Sequence, residues 1–135
     1  MRLYRSHIPA ILWTLAIISS CLVPASSFKR FSFDSILELD KIIHFIMYAG
    51  FFILWRLCAD KLKSKYSVIL LFTAILLGIG IEVIQGEMKY GRTYDEADMV
   101  ANTIGAFLGL LISPFIINRL PLIKKYLPFM VKLYR

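Results

Sequence analysis

The chain has 135 residues, enough for one domain, and carries a formal net charge of +7. Apolar residues make up 59% of it and charged residues 19%, against about 45–50% and about 25% in soluble domains. This excess of apolar residues excludes an ordinary soluble domain. The bases flank long apolar runs instead of forming a continuous basic surface, so we expect no nucleic-acid partner.

Four apolar runs account for the composition, and each holds 16 to 19 residues. A bilayer core about 30 Å thick is crossed by about 17–25 helical residues, with flanking aromatic and basic residues in the interfacial zone. No run alternates polar and apolar residues, which argues against strands. The sequence therefore predicts an all-α integral membrane four-helix bundle in a single domain, with spans at about residues 8–23, 42–59, 68–84 and 99–117.

The first run has a second interpretation, because a basic start followed by an apolar stretch is also typical of a cleaved secretory signal. Pro24 lies inside the faint cleavage pattern, and Leu22 and Val23 continue the apolar run, which argues against cleavage. We expect a retained span, with cleavage as the alternative.

The segments outside the runs predict the orientation. With a cytoplasmic N-terminus, eleven Lys and Arg residues lie on the inner side and five on the outer side, as the positive-inside rule requires. Both termini are then cytoplasmic. Residues 25–40, with alternating aromatic and basic residues, should form an interfacial loop on the outer surface. The basic tail, residues 118–135, should rest on the inner leaflet.

Polar residues recur at helical spacing within or beside three of the runs. They are Asp40, His44 and Tyr48 on the second helix, Glu82 and Gln85 on the third, and Asp98 and Asn102 on the fourth. Residues three or four apart share one face of a helix. A charged group in the centre of a bilayer costs about 2.5–3.5 kcal/mol or more, so these faces should turn toward one another.

The span directions place these groups at one depth. The second and fourth helices run inward and the third runs outward, so His44, Glu82 and Asn102 should lie together just below the outer surface. Lys41, Arg92 and Asp95 can join them from the span ends. The simplest alternative is a structural lock between helices. A lock needs two or three groups and this sequence supplies more than seven, which favours a functional site.

Taken together, these residues resemble the VanZ-like family over about residues 8–118. The resemblance is carried by the stretch Asp40 to Phe45 with Tyr48, by Glu82 with Gln85, and by Arg92, Asp95, Asp98, Asn102 and Gly105. Proteins of this family are bacterial membrane proteins, and the founding member is linked to low-level resistance to teicoplanin, a lipoglycopeptide antibiotic. The resemblance implies a multi-pass protein of the bacterial cytoplasmic membrane.

Two classes of function fit this site. The first is a non-enzymatic envelope protein that binds a lipid head group, a peptidoglycan precursor or a lipoglycopeptide. Arg92 and Lys41 would then pair with carboxylate or phosphate, and Glu82 and Asp98 with amines. The second is an interfacial lipid or precursor hydrolase or transferase, with His44 as base, oriented by Asp40 or Asp98, and Glu82 as acid.

The sequence contains no nucleophile motif for the enzyme. A small proton-coupled exporter is a third hypothesis, although the middles of all four runs are apolar, whereas transporters bind near the midplane. One histidine with scattered carboxylates is a weak metal signal, so we expect no metal and no cofactor. The sequence does not indicate an oligomeric state.

Overall fold

The computed structural model describes residues 7–23, 33–58, 64–88 and 94–126. These residues form four α-helices and contain no strand, which confirms the all-helical prediction. The helices are α1 (Ile8–Cys21), α2 (Phe33–Leu57), α3 (Ser64–Glu87) and α4 (Glu96–Tyr126).

The helices alternate in direction, with α2 parallel to α4. Gly105 packs on the backbone of Phe45, and one turn later Gly109 packs on Ala49. Glycines at these positions let the two helix backbones approach closely, because any side chain would meet the facing helix. α3 is antiparallel to α4, since Gly78 faces Asn102 and Gly86 faces Tyr94.

α1 is held on α2 by two tryptophans. The indole N–H of Trp13 donates to the backbone carbonyl of Met47 (2.9 Å), and the indole ring lies on Gly50. The indole N–H of Trp55 donates to Thr14 Oγ1 at 3.0 Å. The His7 ring lies near the Trp55 ring at one end of α1, and Ser20 Oγ lies 3.6 Å from Met47 Sδ at the other end, so α1 is antiparallel to α2.

Many large apolar side chains are exposed and several polar side chains are buried, which is the reverse of the distribution in a soluble domain. Leu76, Leu111 and Phe115 are 67%, 66% and 74% exposed, while several polar residues are buried. Two of the described helical segments, Lys65–Glu87 and Glu96–Arg119, are long and apolar enough to cross a bilayer. Outward-facing apolar side chains of this extent are typical of a surface in contact with lipid.

Two helices extend beyond the predicted spans. α2 begins at Phe33, so the part of the predicted interfacial loop from 33 to 40 is helical. Asp34 lies in the first turn, where an acidic residue favours a helix N-terminus. α4 continues through Pro121 to Tyr126, beyond the predicted span end near 117. The rest of the predicted loop and tail, residues 25–32 and 127–135, lies outside the described residues.

The Gly105 contact gives a direct test of the packing. Gly105→Ala places a Cβ against the backbone of Phe45, which cannot move as a flexible side chain can, and should lower the free energy of unfolding by about 1–3 kcal/mol. Gly80→Ala is the matched control, since nothing lies within 4 Å of its added Cβ. It should be neutral or stabilising by up to about 1 kcal/mol. Thermal unfolding of the detergent-solubilised chain measures both, and equal melting temperatures would contradict this packing.

Candidate functional site

A group of polar side chains meets at the end of the bundle where α1 and α3 end and α4 begins. His44 on α2 lies at its centre. His44 Nδ1 is 3.1 Å from Asn102 Oδ1 on α4 and 3.8 Å from Glu82 Oε1 on α3. All three side chains are buried, and together they form the floor of the site.

Above the floor lies a more exposed layer. His44 Nε2, on the other side of the ring, is 3.8 Å from Asp40 Oδ1. Lys41 Nζ lies 3.2 Å from Asp95 Oδ2 and 3.9 Å from Asp98 Oδ1. The side chains of Asp40, Lys41 and Asp95 are 31%, 36% and 34% exposed, against 2% for His44. Asp40, Lys41 and Asp95 therefore form a mouth that leads from the surface to the floor.

Asp95 positions the start of α4. Its Oδ1 accepts a hydrogen bond from the backbone N–H of Ala97 at 2.8 Å, as an N-cap residue does. The backbone N–H of Asp95 points to Glu82 Oε2 at 3.5 Å, which ties the beginning of α4 to α3. The Ala97 N–H, followed by Lys41, lowers the pKa of Asp95, so this carboxylate is ionised at neutral pH and holds Lys41.

Several buried polar atoms of the site form no hydrogen bond with the described residues. They are Glu82 Oε1, Asp98 Oδ1, Asn102 Nδ2 and Tyr48 Oη. A buried polar atom without a partner costs about 1–3 kcal/mol. The site thus retains hydrogen-bonding capacity that the described residues do not use among themselves.

The structure brings together seven of the ten sequence-predicted site residues. These seven, called the polar cluster below, are Asp40, Lys41, His44, Glu82, Asp95, Asp98 and Asn102. Tyr48 lies one turn deeper on α2, with its ring against Gly78. Gln85 donates from Nε2 to the carbonyl of Cys21, so it joins α3 to the end of α1. Arg92 lies outside the described residues. The functional role of all ten stays a prediction.

Sequence reasoning missed a second buried charge, at the opposite end of α2. Arg56 is 1% exposed, and its guanidinium lies 5.8 Å from the centre of the Tyr66 ring. A base in the last turn of a helix also complements the helix dipole. From the sequence, Arg56 is predicted only as a base of the inner side. Its place on the apolar second run, one turn after Phe52, was the available sign of burial.

Three residues of the polar cluster have the chemistry of metal ligands. One ligand atom from each of Asp40, His44 and Asp98 lies within 4.8 Å of the others. No metal was expected from the sequence, because one histidine with scattered carboxylates is a weak metal signal.

Comparison with known proteins identifies the family. The sequence model of the VanZ/LLP1 family matches residues 3–118. The chain belongs to the VanZ/LLP1 family. The match includes the whole polar cluster and confirms the resemblance noted from the sequence. No curated protein and no solved structure shows a significant match to this chain.

The bond between His44 and Asn102 predicts a stability effect. Asn102→Leu leaves a buried imidazole without its 3.1 Å partner and should destabilise the chain by about 1–3 kcal/mol. Thr103→Ala is the adjacent control, because the Thr103 hydroxyl donates to the Met99 carbonyl of its own helix. It should change stability by no more than about 0.5 kcal/mol. If thermal unfolding in detergent shows the same stability for both variants, the buried bond does not hold α4 on α2.

Proposed function

We propose that this VanZ/LLP1 protein crosses the bacterial cytoplasmic membrane four times and binds the polar part of an envelope molecule at its outer face. Ligands of this kind are a cell-envelope precursor, a lipid head group or a lipoglycopeptide antibiotic such as teicoplanin. The observation that supports the proposal most strongly is a buried polar floor with unused hydrogen-bonding atoms beneath an exposed, charged mouth.

Four spans are supported by the way α1 and α2 pack. The segments of α3 and α4 are apolar and long enough to cross a bilayer. α1 is shorter, with 14 residues, and α2 carries charged residues, but both lie antiparallel to a neighbour in the same bundle. α1 and α2 also carry exposed apolar residues, among them Leu12, Leu15 and Ile46. A bundle whose four helices all have outward apolar faces is most stable when lipid surrounds it.

The distribution of charge supports an outward-facing mouth. Arg56, Lys65 and Arg119 lie at the other end of the bundle from Asp40 and Asp95, as expected if that end is cytoplasmic. The polar cluster lies at one end rather than in the middle, which is a poor arrangement for an exporter.

The charges of the polar cluster favour a ligand with a positive group. Four carboxyl groups, those of Asp40, Glu82, Asp95 and Asp98, face one lysine and one histidine. Lys41 is engaged by two of these carboxylates, so the described residues present an excess of acceptors. Ethanolamine head groups and amine-bearing precursor peptides offer a matching ammonium group.

An interfacial hydrolase or transferase is the second candidate. His44 has a carboxylate on each side of its ring, Asp40 toward Nε2 and Glu82 toward Nδ1, both at 3.8 Å. This arrangement can orient a general base. The described part of the cluster offers no serine or cysteine nucleophile, so such an enzyme would have to activate water or a hydroxyl of its substrate.

Orientation is tested by reporter fusions. A periplasm-active reporter should work when fused near Gly91 and fail when fused at Arg135, because both termini are proposed to be cytoplasmic. Activity at Arg135 would reverse the proposed topology and place the mouth on the inner side.

Binding is tested by native mass spectrometry of the detergent-solubilised chain with phosphatidylethanolamine, phosphatidylglycerol or teicoplanin as probes. Phosphatidylethanolamine should be retained more strongly than phosphatidylglycerol, since the cluster attracts an ammonium group. Glu82→Gln removes a buried carboxyl group at nearly constant shape and should weaken retention at least tenfold. Glu87→Gln, five residues along the same helix and exposed, is the control and should bind normally. Unchanged binding by a folded Glu82→Gln variant would leave the cluster as a structural lock.

A further inference from the structure

We infer that Asp40, His44 and Asp98 form a binding site for a divalent first-row metal ion. This site goes beyond the proposed binding of an envelope molecule and does not depend on it. It joins α2 to α4 at the mouth of the polar cluster, and its three possible ligand atoms lie within 4.8 Å of one another.

The distances suit a metal site. Zn²⁺ binds imidazole nitrogen and carboxylate oxygen at about 2.0–2.2 Å, so two of its ligands are at most about 4.4 Å apart. Small rotations of the two aspartate side chains are enough to bring their oxygens into this range. Asp40 has the room to rotate, because its side chain is 31% exposed.

The histidine is oriented as a ligand. His44 Nδ1 faces Asn102 Oδ1 at 3.1 Å, and an amide oxygen accepts hydrogen bonds, so Nδ1 carries the proton. Nε2 then presents a lone pair on the side of Asp40, whose carboxylate oxygen is 3.8 Å away. Metal-binding histidines almost always donate their other ring N–H to such a partner. A metal ion at this position would be shared by the imidazole nitrogen and the carboxylate oxygen.

The third ligand, Asp98, is a buried carboxylate with an oxygen available to an ion. Asp98 is 7% exposed, and its Oδ1 forms no hydrogen bond with the described residues. Lys41 Nζ lies 3.9 Å from this oxygen but only 3.2 Å from Asp95 Oδ2. Lys41 can therefore stay with Asp95 while Asp98 turns to a metal ion.

The donor set selects the class of ion. One imidazole nitrogen and two carboxylate oxygens suit Zn²⁺, Mn²⁺ or Fe²⁺, and contain no thiolate to favour Cu⁺. Three protein ligands leave at least one coordination position open, as in metal sites that bind water or a ligand. The general order of stability for divalent first-row metals places Zn²⁺ above Mn²⁺.

Metal binding to the full-length chain in detergent tests the site, with Zn²⁺, Mn²⁺ and Mg²⁺ titrated against a competing indicator. One Zn²⁺ should bind per chain, more tightly than Mn²⁺, and Mg²⁺ at least a hundredfold more weakly than Zn²⁺. His44→Gln and Asp98→Asn should each weaken Zn²⁺ binding at least tenfold. The exposed Glu96→Gln and the distant His7→Gln are controls and should bind Zn²⁺ as the parent does.

X-ray absorption of the zinc-loaded parent chain tests the ligands without any substitution, in case a variant does not fold. It should show one imidazole with oxygen ligands. The inference is wrong if the parent chain binds no Zn²⁺ at millimolar concentration, if sulfur appears among the ligands, or if folded His44 and Asp98 variants bind as tightly as the parent.

Discussion

The close packing of α4 on α2 at Gly105 is the constraint on which the rest of the structure depends. Because Gly105 lies directly on the backbone of Phe45, the preceding turn of α4 carries Asn102 to His44, and the turn before that carries Asp98 toward Lys41. α3 then completes the floor, since Gly78 lets it approach Asn102 and Glu82 follows one turn later on the same face. Small residues, not polar ones, thus determine where the polar side chains meet.

Burial explains why these side chains stay together. In apolar surroundings a carboxylate or imidazole has few partners except other polar side chains, so Glu82, His44 and Asn102 stabilise one another even though each pair is worth only about 0.6 kcal/mol on average in a membrane. The hydrogen bonding among these side chains is nevertheless incomplete, because acceptor and donor atoms on Glu82, Asp98 and Asn102 remain without partners among the described residues. A structural lock alone would favour complete pairing. The incomplete pairing and the exposed mouth are what favour a binding site.

Much of this arrangement follows from the sequence. The spacing of four between Asp40 and His44, and between Asp98 and Asn102, predicts shared helix faces, and the alternating span directions predict a common depth. The sequence could not show that Gln85 would turn to the Cys21 carbonyl, because that contact depends on how far α1 extends. It also missed the helical start of α2 at Phe33 and the extension of α4 to Tyr126, where hydropathy falls but helix formation continues. Arg56 was missed since a base near a span end is ordinarily assigned to the interface.

We propose that the polar cluster is a binding site open at its outer end, not a closed contact between helices. An experimental structure of the chain in a bilayer of bacterial lipids can distinguish the two. We expect non-protein density, from an ion or a head group, in contact with Asp40 and Asp98 and reaching toward the floor at His44. The proposal would be contradicted by a structure in which the mouth is closed by protein and every polar atom of Glu82, Asp98 and Asn102 is paired with another residue of the chain.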